Sequence, residues 1–333
     1  MPEGHSVHRI ARQFDRNFVG QRLNASSPQG RFAEGAAMID GCTATSVRAV
    51  GKQMFLEFDE SFWLRVHLGM YGAWDFAGEI LTDPTIAAAN GRMGQTNQRG
   101  TGVAEPIMDA TGENSLSSIG APRRARVRVR MSEQTRGLAG EDGEEWPPPP
   151  VGQVRLRLLT DRTCADLRGP TACAIQTPDE VAAVIDKLGP DPLVGDVSDG
   201  EERFTEVVLR KPTPIGLLLM DQSVVSGIGN VYRAELLFRA QQNPHTPGRE
   251  VRENVVRGLW RDWVRMLAIG VETGQMMTMD DLDSEAYRRA MASRDDRHWV
   301  YHRAGLPCRV CATAIVVEQA AGRKLYWCPR CQA

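Results

Sequence analysis

No apolar run in the 333-residue chain approaches the roughly 20 residues a membrane helix needs, so no membrane span is expected. The first residues lack an apolar h-region and include Glu3 and His5, so a secretory signal is not expected and the expected compartment is the cytoplasm. An excess of one charge is also missing: 40 Lys and Arg against 42 Asp and Glu give a net charge of -2, which by itself points to no polyanionic partner. No internal repeat is found. Outside the last 30 residues cysteine is sparse, and Cys42, Cys164 and Cys173 read as small buried apolar groups in a reducing compartment.

What is present fits an ordinary globular protein, with 42% hydrophobic and 25% charged residues. A prior of roughly 150 residues per domain gives two domains. Charge is unevenly spread. Residues 179–206 hold nine acids and two bases, whereas 296–333 hold two acids and six bases. A basic tail can meet phosphate whatever the total charge, although a solvated surface explains either count taken alone.

The first segment, Met1 to about Phe76, mixes one helix with strands. His8, Ile10, Ala11 and Phe14 fit one apolar helical face, with Gly20 past its end. Residues 54–58 and 62–66 read as strands joined by Asp59-Glu60-Ser61. Residues 78–150 are rich in Gly, Ser, Thr, Asn and charge and end in four prolines. Most of this stretch reads as a partly disordered surface insertion, apart from a possible edge strand at 125–131. An alternating strand follows at 154–159. Thr177 and Pro178 open a helix that ends near Leu188, and residues 189–193 form a rigid break. The domain boundary is placed between about 189 and 203, followed by helices over 203–210, 215–222, 231–241 and 251–272.

Three local patterns carry chemistry. Cys308-x-x-Cys311 and Cys328-x-x-Cys331, separated by 16 residues, match a four-thiolate structural zinc site, the alternatives being chance spacing or a redox pair. Four thiolates close the tetrahedron and leave no open position. The intervening residues can form a hairpin with Ala321-Gly322-Arg323 at or near its tip. The second pattern is Gly227-Ile228-Gly229-Asn230 between two helices. Its glycines allow close backbone approach, Asn230 is expected as the N-cap, and free amides at the helix start would suit a phosphate; an ordinary glycine-rich turn is the alternative. The third is Pro2-Glu3. Removal of Met1 would leave a secondary amine at Pro2, and an α-amino group titrates near about 7.7–8, so part of it is unprotonated at neutral pH and able to attack an electrophilic sugar carbon. Glu3 is a plausible proton shuttle, although a leader without function is the simpler reading of these residues in isolation.

Taken in order, Pro2-Glu3, Gly51-Lys52-Gln53-Met54-Phe55, the glycine loop and the cysteine ribbon ending Cys328-Pro329-Arg330-Cys331-Gln332 resemble the formamidopyrimidine-DNA glycosylase and endonuclease VIII family. Pro2-Glu3-Gly4-His5 looks like the endonuclease VIII branch. Residues 27–33 and 167–171 resemble the actinobacterial endonuclease VIII-like enzymes. The resemblance implies an α+β fold: an N-terminal two-sheet β-sandwich with a leading helix (1–188, interrupted by 78–150), a helix-two-turn-helix domain (203–295) and a zinc finger (296–333). It implies damaged double-stranded DNA as partner, one structural Zn2+, a monomer, no membrane, and a bacterial, nucleoid-associated protein.

The resemblance also implies roles. Pro2 is the nucleophile at the sugar C1′, Glu3 helps open the ring and moves protons, and Lys52 assists and meets a phosphate. Arg323 grips the phosphates beside the flipped nucleotide. Asn230, Gly227, Gly229 and Lys211 contact DNA, and Met70 fills the gap the everted base leaves. The implied activity is base removal with strand cleavage at oxidised bases, pyrimidines before purines. One motif departs from this branch: His67-Leu68-Gly69-Met70 is closer to the formamidopyrimidine branch than to the Gln-Leu-Tyr of enteric endonuclease VIII. The alternatives are a purine-directed member of the family and a non-catalytic zinc-ribbon DNA-binding protein.

Overall fold

The computed structural model describes residues 2–81, 118–121, 146–280 and 282–333. Most of the 78–150 stretch, including the expected edge strand at 125–131, lies outside the described residues.

The chain opens with helix α1 (Gly4–Asn17), whose Val7, Ile10, Ala11 and Phe14 are buried. Strand β1 (Asn24–Ser26) and helix α2 (Ala33–Ile39) follow. Strands β2 (Ala44–Val50), β3 (Gln53–Phe58), β4 (Phe62–His67) and β5 (Ala73–Gly78) then run in sequence. The β3–β4 loop places Asp59 and Glu60 at positive φ, as a tight reversal requires. After the insertion come β6 (Ser118–Gly120), β7 (Val154–Leu159), β8 (Thr163–Arg168) and β9 (Ala172–Gln176). One sheet has the order β1-β7-β8-β5-β6 and the other β2-β3-β4-β9.

The first core lies between the sheets and α1. Phe14 meets Trp74 edge-on with ring centroids 4.8 Å apart, and Phe18 and Phe76 complete the aromatic cluster. Emptying such a position, as in Phe14→Ala, typically costs about 3–5 kcal/mol. Two findings differ from the sequence reading. Residues 118–120, inside the stretch read as an insertion, form a buried edge strand on β5, pairing Trp74 with Ile119. Strand β7 does not alternate cleanly, because Arg157 is buried and forms a bidentate pair with Asp166 of β8 at 2.7 and 2.6 Å.

Helix α3 (Pro178–Ile185) begins with a capping box. Thr177 N donates to Glu180 Oε2 at 2.9 Å, and Glu180 N donates back to the Thr177 hydroxyl. Helix α4 (Val197–Arg210) starts six residues before the expected 203, because Asp196 caps it by accepting from Ser198 N and Asp199 N. Helix α5 (Ile215–Leu218) is a single turn and stops short of the expected 222. The Asp221 carboxylate accepts from both Ser223 N and Ser223 Oγ, which favours a turn over continued helix. Helix α6 (Asn230–Arg239), the long α7 (Glu253–Thr273) ending on left-handed Gly274, and α8 (Ser284–Ala292) complete the helical part. Among the described residues no helix is long and apolar enough to cross a membrane.

The ribbon pairs β10 (Val316–Ala320) with β11 (Arg323–Trp327) across an Ala321-Gly322 turn, both residues at positive φ. Its core joins Ala234 and Phe238 of α6 to Tyr326 and Cys328. Helix α1 packs on β2 and β3 and also on α7, where a Cβ on Gly270 would lie 2.9 Å from His5 Cβ. The start of the chain therefore sits where the two halves meet.

Candidate active site between the sheets and the helices

Pro2 and Glu3 precede α1. Glu3 is fully buried and has extended backbone angles as the N-cap of α1, but its side chain does not cap that helix. It reaches across to α6 instead. Oε2 accepts from Gly229 N at 2.8 Å and more weakly from Tyr232 N at 3.5 Å, while Oε1 accepts from Val231 N at 2.9 Å. The positive end of the α6 dipole thus faces a carboxylate from the chain itself. Burial pushes the Glu3 carboxyl above its ordinary range, against the pull of Lys52 and the Val231 amide. A carboxyl raised in this way holds its proton more readily than an exposed one, as a proton donor requires.

The glycine loop serves this contact. Gly4 N donates to Gly227 O at 2.9 Å, and Gly227 holds φ +91. A Cβ on Gly229 would collide with the Glu3 carboxyl group, so only glycine lets the two approach. Two expectations are corrected here. The N-cap of α6 is Gly229, with Asn230 the first helical residue, and the amides of Gly229 and Val231 are taken by Glu3 rather than left free for an outside anion. Gly227 N likewise has a partner, Gln222 Oε1 at 3.1 Å. The Asn230 side chain donates to Lys324 O of β11 at 2.8 Å and accepts from Arg233.

Lys52 lies on the two-residue β2–β3 turn, closed by the Val50–Gln53 pair. Gly51 adopts φ +58, and a Cβ there would stand 2.8 Å from Ser226 Cβ. Lys52 Nζ donates to Ile228 O at 2.6 Å, in the same glycine loop. Burial brings the Lys52 ammonium down to about 8, helped by Arg323 and opposed by Glu3.

Met70 sits on the turn between β4 and β5 and is 50% exposed, beside the more exposed Tyr71. Arg323 is the first residue of β11, paired with Ala320 at the ribbon tip. A cleft of about 370 Å³ is lined by Pro2, Lys52, Met70 and Arg323, together with Gln222 and Arg233. Four residues singled out in the sequence, from four separate segments, therefore share one cavity, whereas Glu3 does not line it. Asn230, Gly227, Gly229 and Lys211 do not line it. Lys211 is the C-cap of α4, where its carbonyl accepts from Arg249 N at 2.9 Å.

Buried charges on α6 escaped the sequence reading. Arg233 is fully buried and donates to Lys324 O at 3.1 Å, beside Arg323. Glu235, also fully buried, accepts from Trp299 N, Val300 N and Tyr301 N at 2.7–2.9 Å. Together they dock the ribbon and the segment leading into it. The available signal was Arg233 and Glu235 set among apolar residues, well inside the terminal Asn230 and Arg239.

Cys308, Cys311, Cys328 and Cys331 place their Sγ atoms within 4.8 Å of one another, with 3.9 Å between Cys308 and Cys331 and 3.5 Å between Cys311 and Cys328. A tetrahedron with Zn–S bonds of about 2.3 Å has edges near 3.8 Å, so the four donors fit zinc and leave no position open. The amides of Val310 and Cys331 point at the Cys308 and Cys328 sulfurs at 3.5 Å, as metal-bound thiolates favour.

Comparison with known proteins places these features together. Family models match in chain order: the formamidopyrimidine-DNA glycosylase N-terminal domain over residues 1–169, the formamidopyrimidine-DNA glycosylase H2TH domain over 188–281, and the zinc finger found in FPG and IleRS over 305–333. Endonuclease 8 1 of Mycobacterium tuberculosis is 35% identical over 334 residues, covering 100% of both chains. Formamidopyrimidine-DNA glycosylase of Thermus thermophilus is 35% identical over 149 residues, 44% of this chain and 54% of that one. In fold, the chain is similar to Lactococcus lactis Fpg in complex with abasic-site DNA, with a TM-score of 0.67, 18% identity and 99% of both chains covered. The chain belongs to the formamidopyrimidine-DNA glycosylase and endonuclease VIII family of base excision repair. It is a DNA glycosylase with a two-sheet N-terminal part, a helical part and a zinc-finger module.

Proposed function

We propose that the chain is a bifunctional DNA glycosylase and AP lyase acting on oxidised bases in duplex DNA, pyrimidines in preference to purines. The observation that carries this reading is the shared cleft: Pro2, Lys52, Met70 and Arg323 line one cavity, and the next residue after Pro2, Glu3, has its carboxyl fixed on the α6 amides. Once Met1 is removed, the Pro2 nitrogen attacks C1′ of an everted nucleotide and the base leaves with the glycosidic electron pair. The Glu3 carboxyl passes protons to the departing base and the opening sugar. The resulting iminium acidifies the C2′ proton; β-elimination breaks the bond to the 3′ phosphate and δ-elimination the bond to the 5′ phosphate. Met70 enters the duplex where the base has left, offsetting part of an unstacking cost of a few kcal/mol.

Lys52 and Arg323 are assigned to the phosphates that flank the lesion, and Lys211 to the DNA backbone further out. Asn230, Gly227 and Gly229 act here by holding the N-terminal segment and β11; a direct phosphate contact would require the Asn230 side chain to leave Lys324 O. Zinc is assigned a structural part, bracing the hairpin that carries Arg323. The working division is a sandwich over 1–188, a helix-two-turn-helix over 203–295 and a finger over 296–333, in a monomer of the bacterial cytoplasm.

A lysine with its pKa lowered to about 8 is charged below that pH and neutral above it. Affinity for lesion DNA is therefore expected to fall as pH rises through about 8, and Lys52→Arg, which stays charged, should carry tight binding to higher pH. Fluorescence anisotropy across pH 6.5–9.5 measures this, on the order of a three-unit window around that pKa. Stripping zinc with a chelator should release the ribbon, weaken DNA binding and flatten its salt dependence by about one charge as Arg323 is lost.

A second reading has an observation behind it: His67-Leu68-Gly69-Met70 looks like the formamidopyrimidine branch and places Met70 in the cleft. Single-turnover cleavage of matched thymine glycol and 8-oxoguanine duplexes separates the two. Faster cleavage of thymine glycol is expected, and faster cleavage of 8-oxoguanine would replace the pyrimidine assignment.

A further inference from the structure

Residues 189–191, between α3 and α4, are fastened to the glycine loop. Gly189 N donates to Gln222 O at 2.8 Å, Ser226 N to Pro190 O at 3.0 Å, and Ser226 Oγ to Gly189 O at 2.8 Å. Asp191 then turns its carboxylate towards the N-terminal half. It is 4% exposed. Oδ2 accepts from Gly51 N at 2.6 Å and from His8 Nε2 at 2.8 Å, while Oδ1 accepts from Leu193 N at 2.9 Å. His8 lies on α1, the helix that follows directly on Pro2-Glu3. Gly51 is the residue before Lys52. One carboxylate therefore joins the helix carrying the amine, the turn carrying the lysine, and a segment fixed to the loop that Glu3 grips and Lys52 touches.

We propose that Asp191 is a positioning residue for Lys52, its carboxylate setting how deep the β2–β3 turn sits in the cleft. This rests on the functional reading above, in which Lys52 holds a phosphate beside the lesion and so places the sugar for attack. Gly51 sits at φ +58, pressed against Ser226, so the turn has one place to go and its N–H is aimed at the carboxylate. A hydrogen bond to a buried carboxylate is among the strong ones. Asn at position 191 has a single carbonyl oxygen for three donors and turns an NH2 towards at least one of them. If the NH2 faces Gly51 N, the turn is free to lift, carrying Nζ away from Ile228 O; if it faces Leu193 N, the segment that holds residue 191 loosens and the anchor of the turn shifts with it. A misplacement of about 1 Å in a reacting group can cost about a hundredfold in rate.

The test is a double-mutant cycle on the full-length, zinc-loaded protein, using Asp191→Asn, Lys52→Ala and the pair. The readouts are single-turnover cleavage of an abasic-site duplex at saturating enzyme and the Kd for the same DNA. Asp191→Asn is expected to slow cleavage about 10–100-fold, to weaken DNA binding by no more than Lys52→Ala does, and to have almost no further effect on either once Lys52 is alanine. An equal loss on both backgrounds, or no loss, overturns the role while leaving the functional reading standing. A wild-type protein that fails to cleave overturns that reading, and this inference with it. Should Asp191→Asn fail to fold, Asp191→Glu keeps the charge but moves the carboxylate by one methylene. A partial loss that vanishes on the Lys52→Ala background is then expected, and an equal loss on both backgrounds overturns the role.

Discussion

Protein carrying one extra residue in front of Pro2, or an acetyl group on its nitrogen, is expected to lose borohydride trapping and strand cleavage by more than about a hundredfold while still binding lesion DNA. An added residue moves the free amine by one chain step, about 3.8 Å. Misplacement by about 1 Å already costs about a hundredfold, and acetylation removes the nucleophilic lone pair altogether. The residues that follow Pro2 are held in place. Glu3 is fully buried with its carboxylate on the α6 amides, and Gly4 N is bonded to Gly227 O, so Pro2 hangs from an anchored segment. Binding survives in this account because Arg323 and Lys52 remain in the cleft. Quantitative cleavage by the blocked protein would remove Pro2 from the chemistry.

Glu3→Gln should have the second-largest effect, slowing base release about 10²–10⁴-fold, the usual range for a general acid or base. The amide cannot shuttle the proton, and its NH2 faces the amides of Val231 or Gly229, where the carboxylate accepted. A buried donor left facing a donor costs about 1–3 kcal/mol, so the melting temperature should also fall. Two measurements keep the effects apart: single-turnover base release well below the variant's melting temperature, and the melt itself. A lowered melting temperature with an unchanged rate would reduce Glu3 to a cap on α6.

The parts of this site legible in the sequence are those whose physics is local. Two CxxC pairs at the right separation specify a thiolate tetrahedron without knowledge of the rest of the chain, and the structure brings the four sulfurs together. Thr177-Pro178-Asp179-Glu180 contains both halves of its capping box within four residues. The ordered motifs carried the family resemblance, and the resemblance singled out Pro2, Lys52, Met70 and Arg323, which the fold gathers into one cleft. What the sequence hid depends on partners far along the chain. Glu3 meets amides 226 and 228 residues away, so the glycine loop looked like a receptor for an outside anion when its first ligand is internal. Asp191 lies 140 residues from Gly51 and looked like part of a rigid break. Strand β6 has three residues inside a polar stretch, too few for a periodicity. Helix α4 was started late because the domain boundary was placed between about 189 and 203, although Asp196 is the cap that begins it.

Mass spectrometry of the borohydride-trapped complex tests the central claim most directly. Zinc-loaded protein lacking Met1 is reduced on lesion duplex, digested with protease and nuclease, and the modified residue is read from the fragment spectrum. The expected result is a deoxyribose remnant on the nitrogen of Pro2, with every lysine-containing peptide, that of Lys52 included, unmodified. An adduct on Lys52 or another lysine with Pro2 unmodified would contradict it and move the nucleophile elsewhere in the cleft.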